Sequence, residues 1–314
     1  MRHFQRRQLL HDASEEKVSL LLTQDTTGDG GPSDSPVWGA GLGLRRAHLG
    51  PPLEEIPPAI QFMEVAPENW LGVGGRLGRA FAQLAERVPM VCHGLLLNLG
   101  GPDPIDVDFL RRLKPFLAQH RIRCYSDHLS FCGDRGLLYE LLPMPFTAEA
   151  VRHVAARIRL VQDVLEQRIT IENASYYCTL AEDLPEIEFI NAVLAEADCG
   201  LLLDLNNVYV NSQNHGYDPV SFLEALPGGR ITYAHIAGHC VADEGLIIDT
   251  HGAPVVDPVW QLLGHAFNRF GVFPTLLERD ENIPALPEVL SEIAIIAALQ
   301  LGHGHRAPQG HRRV

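Results

Sequence analysis

The sequence predicts one α/β domain folded as a (β/α)8 TIM barrel, and three observations lead to this prediction. Eight short apolar runs recur along the chain, segments with helical spacing separate most of them, and the repeats extend over most of the 314 residues. Such alternation of strands and helices is typical of a parallel sheet. Eight repeats in about 260 residues favour a closed barrel, and a doubly wound open sheet is the alternative.

The eight apolar runs are the predicted strands. They occupy residues 37–44, 60–65, 90–93, 122–126, 169–172, 200–205, 231–236 and 274–278. The predicted helices occupy residues 76–87, 107–119, 148–166, 184–197, 258–270 and 286–299. In the third of these helices, apolar residues recur at intervals of three and four, as at Val151, Val154, Ala155 and Ile158, which is the spacing of one helical face.

Two polar segments flank the predicted barrel. Residues 26–36 read TTGDGGPSDSP, and residues 302–314 read GHGHRAPQGHRRV. Segments of this composition bury too little apolar surface to fold. We therefore expect disordered tails over residues 1–36 and 302–314, with the barrel domain over residues 37–301.

Charge and cysteine content exclude several classes of function. The formal net charge is -14, which opposes binding to the phosphate backbone of a nucleic acid. The six cysteines form no C-x-x-C pair, so zinc ribbons and iron–sulfur clusters lose support. The sequence shows neither a secretory signal nor an uncharged apolar stretch of about 20 residues, so we expect a cytoplasmic protein that does not insert into a membrane.

Metal-capable side chains stand where nearly every predicted strand ends. They are Glu64, Glu68, His93, Asp127, His128, Glu172, Asn173, Asp204, Asn206, Asn207, His235, His239, Glu278 and Asp280. His48 follows the first run, and Asp249 and His251 lie between the last two. The C-terminal ends of barrel strands share one face, so these groups converge in one cleft. Bridging carboxylates with outer imidazoles suit two or three adjacent divalent ions.

Each of these residues, taken singly, has a simple structural explanation. Asp204 suits a helix cap, Glu278 can pair with Arg279, and Asn173 and Asn207 are common in turns. Seven of the eight strand ends carry such groups, however. To bury so many uncompensated polar groups by chance is unfavourable, so the joint pattern favours a metal site.

Other catalytic motifs receive no support. The chain has no G-x-S-x-G nucleophile elbow, and no helix start follows the glycine-rich residues 39–43, which opposes a phosphate-binding loop. Cys92 and His93 are adjacent on a predicted strand, so their side chains point to opposite faces and do not form a nucleophile–base pair.

Nine motifs occur in order along residues 38–300. They are G-L-R (43–45), F-M-E-V-A-P-E-N-W (62–70), C-H-G (92–94), S-D-H-L-S (126–130), I-E-N (171–173), L-D-L-N-N (203–207) with His215, H-I-A-G-H (235–239), D-T-H-G (249–252) and L-E-R-D (277–280). In this combination the chain resembles the multinuclear non-heme iron-dependent oxidative enzymes. That family, formerly a domain of unknown function, includes the iron enzyme of methanobactin biosynthesis.

The resemblance implies a xylose-isomerase-like barrel that holds two or three irons as Fe2+ and Fe3+. It also implies an oxidoreductase that uses O2 to modify cysteine residues of a ribosomally synthesised precursor peptide. A partner protein often presents the peptide in that family. Composition and spacing imply none of this, because the same ligand types suit zinc and manganese.

The resemblance also implies three metal positions. The first would comprise His48, His93, Asp127 and Glu172, and the second would comprise Glu172 as a bridge with Asp204, His235 and Glu278. The third would comprise Asn207, Asp249 and His251. Whether Asp127 or its neighbour His128 is the ligand stays open, since adjacent strand residues point oppositely. The catalytic candidates are Asp127, His128, Asn173 and His239, and His215 is a candidate to support the ligands or contact the substrate.

Two other classes of function stay open on this sequence. A divalent-metal-dependent hydrolase or isomerase on the same barrel would use similar ligands without O2. A non-catalytic protein that binds metal or peptide would present the same pocket without turnover.

Residues 129–145 follow the fourth predicted strand, so they should lie on the catalytic face. They carry several large apolar side chains, among them Tyr139 and Leu142. We expect this segment to form an apolar seat for the peptide or a partner protein at the rim of the cleft. A short helix that covers the barrel mouth is the alternative.

Overall fold

The computed structural model describes residues 35–46, 49, 55–133 and 137–304, without the side chains of Leu137, Tyr139 and Glu140. The tails expected at residues 1–36 and 302–314 lie outside this description except for residues 35–36 and 302–304. The ligand candidate His48 also lies outside the described residues.

Twelve strands and eight α-helices follow one another along the described chain. The strands are β1 (Ala40–Gly43), β2 (Phe62–Val65), β3 (Met90–His93), β4 (Tyr125–His128), β5 (Phe131–Gly133), β6 (Leu137–Leu142), β7 (Thr170–Glu172), β8 (Gly200–Asp204), β9 (Ile231–Ile236), β10 (Cys240–Val241), β11 (Ile247–Ile248) and β12 (Thr275–Leu277). The helices are α1 (Gly75–Ala85), α2 (Val107–Gln119), α3 (Ala148–Leu165), α4 (Glu186–Ala197), α5 (Leu205–His215), α6 (Pro219–Glu224), α7 (Asp257–Phe270) and α8 (Leu286–Gly304).

Eight of the strands close into a parallel barrel in the order β1-β2-β3-β4-β7-β8-β9-β12, and β12 pairs back with β1. Leu42 of β1 is in register with Met63 on one side and with Leu277 on the other. The predicted (β/α)8 barrel is therefore confirmed, and the open-sheet alternative is wrong. The strands run in one direction, so their C-terminal ends share one face.

The apolar pattern of the helices explains how they cover the barrel. Helix α3 buries Val151, Val154, Ala155 and Ile158, which is the face that the sequence spacing predicts. Its first turn is capped by the hydroxyl of Thr147, which accepts a hydrogen bond from the backbone nitrogen of Ala150 at 3.2 Å. The core thus lies between the barrel wall and the outer helices.

Several elements differ from the sequence prediction, among them the strands β5, β6, β10 and β11, which it does not include. Strand β4 begins at Tyr125, three residues later than predicted, and so includes Asp127 and His128. Helices α5 and α6 were not predicted, because the asparagine-rich sequence of α5 has low helix propensity. Helix α8 continues to Gly304, so the expected boundary after residue 301 lies within a helix.

Helix α8 is, by length and composition, the one helix of the described chain that could cross a membrane. Its residues Val289, Ile293 and Ile296 are buried, and the helix packs against β1 and β12. This packing makes α8 an outer helix of the barrel.

A buried ion pair fixes the chain directly after β12. Arg279 Nε donates a hydrogen bond to Glu292 Oε2 of α8 at 3.2 Å, and both side chains are buried. Glu292 Oε1 accepts a second bond from the backbone nitrogen of Val255 at 2.8 Å. Arg279 therefore pairs with Glu292 of α8 and not with its neighbour Glu278. The carboxylate of Glu278 lies at the mouth of the barrel instead.

We expect Arg279→Met to lower the free energy of unfolding by about 3–5 kcal/mol, because Glu292 would remain as an uncompensated buried charge. Chemical denaturation followed by circular dichroism measures this change. The matched control is Arg159→Met, which removes an exposed guanidinium 3.9 Å from Glu196. Such an exposed pair contributes less than about 1 kcal/mol, so comparable losses in the two variants would contradict the role of Arg279.

Candidate metal centre

Side chains from β3, β4 and β7 meet at the C-terminal face of the barrel. His93 Nε2 lies 3.0 Å from Glu172 Oε2, and His128 Nε2 lies 3.3 Å from the same oxygen. The two imidazole nitrogens are 3.0 Å apart. Ligand atoms that each lie about 2.1 Å from a common ion have such separations, so these three residues can hold one metal ion.

The other carboxylate oxygen of Glu172 faces a second group of ligands. His235 Nδ1 lies 3.7 Å from Glu172 Oε1, 3.9 Å from Asp204 Oδ2 and 2.9 Å from Glu278 Oε2. Glu172 therefore offers one oxygen to each group. This is the arrangement of a carboxylate that bridges two adjacent ions.

A third group overlaps the second. Asp204, His251 and Glu278 each place one ligand atom within 4.8 Å of the others. His251 Nδ1 lies 3.5 Å from Glu278 Oε2, and His251 Nε2 lies 2.7 Å from Asp249 Oδ1. Asn207 lines the same cavity. The three residues expected at the third metal position, Asn207, Asp249 and His251, are thus brought to one cavity.

Six of the twelve buried side-chain atoms that lack hydrogen-bond partners among the described residues lie at this site. They are His128 Nδ1, Glu172 Oε2, Asp204 Oδ2, Asn207 Oδ1, His235 Nδ1 and His251 Nε2. Some of them lie close to an ionisable neighbour, but these contacts lack the directions of hydrogen bonds. Such unpartnered atoms are rare in folded proteins, and converging lone pairs are what a cation stabilises. Imidazole and carboxylate donors together fit iron, manganese and zinc.

The pKa values of two histidines show how strongly the site favours positive charge. Burial lowers the pKa of His128, but the neighbouring carboxylates of Asp127 and Glu172 outweigh burial and raise the pKa to about 9. Burial likewise lowers the pKa of His251, and the charge of Asp249 outweighs it and raises the pKa to about 10. Protons on these imidazoles stand where a metal ion would, and a bound ion displaces them.

Asp127 and His128 occupy opposite faces of β4. The Asp127 carboxylate accepts hydrogen bonds from Tyr125 Oη at 3.0 Å, from the backbone nitrogen of Leu97 at 3.3 Å and from that of His128 at 2.8 Å. His128 meets His93 and Glu172 instead. The pleat of the strand thus turns His128 toward His93 and Glu172 and Asp127 away from them, and which of the two is a metal ligand stays a prediction.

Asn173 and His215 form hydrogen bonds with backbone atoms near the site. Asn173 Nδ2 donates to the backbone oxygen of Asp204 at 2.9 Å, and its Oδ1 accepts from the backbone nitrogen of Asp204 at the same distance. His215 Nε2 lies 2.9 Å from the backbone oxygen of Tyr176. Among the described residues, His215 joins no metal-capable group of His, Cys, Asp and Glu side chains.

His239 is connected to the ligand candidate Asp249 through one intervening side chain, that of Asn206. Its Nδ1 lies 2.7 Å from Asn206 Oδ1, and Asn206 Nδ2 donates to Asp249 Oδ1 at 2.6 Å. His239 can therefore orient Asp249 through Asn206. The catalytic roles expected for Asn173 and His239 stay predictions.

Glu64 is a buried residue of the site that the sequence analysis names among the metal-capable strand ends but assigns to no metal position. Its Oε2 lies 2.9 Å from His235 Nε2 and accepts a hydrogen bond from Tyr233 Oη at 2.7 Å. The signal was present, because Glu64 ends a predicted strand as His93 and Glu172 do. One polar residue in an apolar strand gives no indication of its partner.

A cavity of about 440 Å3 opens above the metal-capable groups. We call the leucines that line its wall the apolar rim, and they are Leu95, Leu96, Leu138 and Leu141. Leu95, Leu96 and Leu138 are each more than 40% exposed. Strands β5 and β6 form an antiparallel hairpin here, so the alternative of a short helix over the barrel mouth is wrong. The side chain of Tyr139 lies outside the description.

Curated relatives match this chain over most of its length. A UPF0276 protein of Alcanivorax borkumensis is 55% identical over 279 residues, which covers 85% of this chain and 93% of the relative. A UPF0276 protein of Pseudomonas aeruginosa strain UCBPP-PA14 is 56% identical over 268 residues, which covers 85% of this chain and 94% of the relative.

Solved structures share the architecture at low sequence identity. A 3-keto-D-glucoside 4-epimerase from E. coli in its apo form has a TM-score of 0.55 at 12% identity and covers 84% of this chain and 99% of its own. A xylose isomerase domain protein from Alicyclobacillus acidocaldarius has a TM-score of 0.53 at 16% identity, with coverages of 84% and 100%. These likenesses confirm a xylose-isomerase-like barrel and show the fold alone.

A family model provides the most specific comparison. The model described as RiPP precursor modification enzyme MbnB/TglH/ChrH matches residues 39–301, which include every strand of the barrel. RiPPs are ribosomally synthesised and post-translationally modified peptides, the substrate class that the motif resemblance implies. The chain belongs to the MbnB/TglH/ChrH family of RiPP precursor modification enzymes.

Proposed function

We propose that the chain is a multinuclear, iron-dependent oxidoreductase that uses O2 to modify cysteine residues of a precursor peptide. The observation that carries this proposal is the position of Glu172, whose two oxygens face two groups of ligands. Adjacent ions need such a bridging carboxylate to offset their mutual repulsion, whereas a single ion does not. Family membership supports a precursor peptide as the substrate.

This proposal has three metal positions, of which the first two share Glu172 as a ligand. The first comprises His93, His128 and Glu172, with His48 as a further ligand by the motif resemblance. The second comprises Glu172, Asp204, His235 and Glu278, and the third comprises Asn207, Asp249 and His251. The overlapping groups of His and carboxylate residues support this assignment.

Iron bound here would supply a redox couple with affinity for a cysteine thiolate and for O2. The chain's own residues bind and orient the peptide and exclude water. A cavity of about 440 Å3 is large enough for a cysteine side chain and its neighbours. The apolar rim displaces water from a bound peptide, which limits side reactions at the reacting carbon.

A divalent-metal-dependent hydrolase or isomerase is the second candidate. The same imidazole and carboxylate ligands would serve it without O2. A protein that only stores metal or captures a peptide is the third. Dependence on O2 separates the first candidate from both.

The partners in this proposal are a Cys-containing precursor peptide, O2 and a protein that presents the peptide, all in the cytoplasm. The apolar rim supports a peptide or protein partner, because exposed leucines around a polar cleft mark interaction sites.

His128→Ala should lower the iron content of the purified protein, because it removes an imidazole of the first metal position. Asp127→Asn is the matched control on the next residue, since an amide oxygen still accepts the bonds from Tyr125 and Leu97. Elemental analysis of both variants checks the assignment. Loss of iron from Asp127→Asn with full retention in His128→Ala would reverse it.

The protein expressed with iron should retain more than one iron per chain, and Glu172→Ala should lose more than one equivalent. The reason is that the Glu172 carboxylate serves two metal positions. Elemental analysis and Mössbauer spectroscopy measure both quantities. If the protein instead contains one zinc per chain, and Glu172→Ala does not change this zinc content, the iron proposal is wrong and the hydrolase or isomerase is favoured.

The same preparation should change the mass of a Cys-containing peptide encoded beside its gene, in air but not under argon. Mass spectrometry with oxygen-electrode recordings detects the change. Equal turnover under argon would favour the hydrolase or isomerase, and an unchanged peptide with firmly bound iron would favour the binding protein.

Leu138→Ser combined with Leu142→Ser should weaken peptide binding about tenfold, which corresponds to about 1.4 kcal/mol, and leave the iron in place. Both leucines are exposed on β6, so the reason is lost contact with the peptide. Fluorescence anisotropy of a labelled precursor measures the affinity. The control is Leu160→Ser, which changes an equally exposed leucine on α3. An unfolded double variant would place the hairpin in the core and contradict the role of a peptide seat.

A further inference from the structure

Beneath the metal-capable groups, a row of buried hydrogen bonds joins two of the ligands. His93 Nδ1 lies 2.8 Å from Ser126 Oγ, which lies 2.7 Å from Tyr233 Oη. Tyr233 Oη donates to Glu64 Oε2 at 2.7 Å, and the same oxygen lies 2.9 Å from His235 Nε2. All five side chains are buried.

One assignment of the protons satisfies the bonds from His93 to His235, and in it the backbone oxygen of Cys92, 3.2 Å from Ser126 Oγ, is the alternative acceptor for the serine hydroxyl. Tyr233 donates to the Glu64 carboxylate, so its oxygen is free to accept from the Ser126 hydroxyl. Ser126 then accepts from the protonated Nδ1 of His93. A carboxylate has no proton to give, so the bond between Glu64 and His235 requires the proton on His235 Nε2.

In the neutral form that metal binding requires, both imidazoles turn their other nitrogen, which carries no proton, toward the metal-capable groups. For His93 this atom is Nε2, 3.0 Å from Glu172 Oε2. For His235 it is Nδ1, which makes no hydrogen bond although Glu278 Oε2 is 2.9 Å away. Hydrogen bonds of this kind behind a ligating histidine fix its tautomer and orientation. Here one carboxylate, Glu64, accepts from His235 directly and ends the row that leads through Tyr233 and Ser126 to His93.

Glu64 is itself unsuited to share a metal ion with His235 and Glu278. The three are close enough to be metal-capable by distance alone. Glu64 contacts Nε2 of the His235 ring, however, whereas Glu278 contacts Nδ1. The two nitrogens point away from each other, so an ion bound to one of them does not reach the carboxylate at the other.

We infer that Ser126, Tyr233 and Glu64 are positioning residues that set the tautomers of His93 and His235 together and thereby couple two metal positions. This inference rests on the proposed multinuclear centre and extends it to residues that need not touch a metal. A break in the row frees an imidazole to turn its N–H toward the metal, which opposes binding there. Because the row is continuous, a break between the two histidines weakens both positions.

The test is an anaerobic titration of the full-length apoprotein with Fe2+ against a chelator. Ser126→Ala removes the direct partner of His93 and should bind Fe2+ 10–100-fold more weakly, which is the usual effect of removing an outer partner of a ligand. Tyr233→Phe should also weaken binding, because it removes the link between Ser126 and Glu64. The double variant should fall short of the product of the single effects, because both changes break the same row. Effects that multiply fully would mean that the two residues act independently, and the coupling would be overturned.

The matched control is Tyr217→Phe, which removes the hydroxyl of a tyrosine outside the row, stacked on Phe222, and should leave Fe2+ affinity unchanged. A second readout is the absorption spectrum of the Co2+-loaded protein, which reports ligand geometry. Tyr233→Phe should alter this spectrum while the circular dichroism of the apoprotein stays as in the wild type. An unaltered spectrum would assign Tyr233 a packing role only.

Different results would overturn the multinuclear centre and the coupling between its two histidines. Wild-type protein that binds a single ion would overturn the multinuclear centre. Wild-type protein that binds several ions, together with unchanged affinity in Tyr233→Phe, would overturn the coupling and leave the multinuclear centre standing.

Discussion

The repulsion among four buried carboxylates is the constraint on which the rest of this structure depends. Glu64, Glu172, Asp204 and Glu278 come from four different strands or strand ends and meet at the mouth of the barrel, nearly excluded from water. Like charges this close in a low-dielectric interior repel strongly. Burial and the charge of Glu172 raise the pKa of Asp204 well above its ordinary value. Histidines, hydroxyls and, in the proposed function, metal ions are the compensation for this repulsion.

The barrel makes such a concentration of charge tolerable because it is rigid. His93, His128, Glu172 and His235 lie within hydrogen-bonded strands, so their backbones cannot separate to relieve the repulsion. His251 differs, because it lies in a loop after β11 with a left-handed φ of 51°. Of the three proposed metal positions, the third is thus the one that the barrel fixes least.

Much of this arrangement is readable from the sequence. Alternating runs predicted all eight barrel strands, and polar residues at their ends predicted that His93, Glu172, His235 and Glu278 would meet. The sequence leaves the choice between Asp127 and His128 open, because both residues lie beyond the apolar run at residues 122–126 and adjacent strand residues face opposite sides. The pleat of a strand, which decides this choice, depends on pairing with its neighbours.

Other features depend on contacts that lie far apart in the chain. Glu64 and Tyr233 are 169 residues apart and meet only after the barrel closes. Helix α5 escaped prediction because asparagines usually favour turns, and its start is stabilised by Asp204, which also ends strand β8. Local propensity cannot anticipate a residue that serves two elements at once.

The two roles of Asp204 limit which residue types can occupy this position. One oxygen, Oδ1, caps α5 by accepting a bond from the backbone nitrogen of Asn207 at 2.6 Å, and the other, Oδ2, faces the ligands. Glutamate would keep the charge but carry it one methylene too far to cap the helix. Asparagine would keep the cap but lose the charge. Neither substitution preserves both roles. A change at this position therefore alters either the start of α5 or the charge that faces the proposed metal positions.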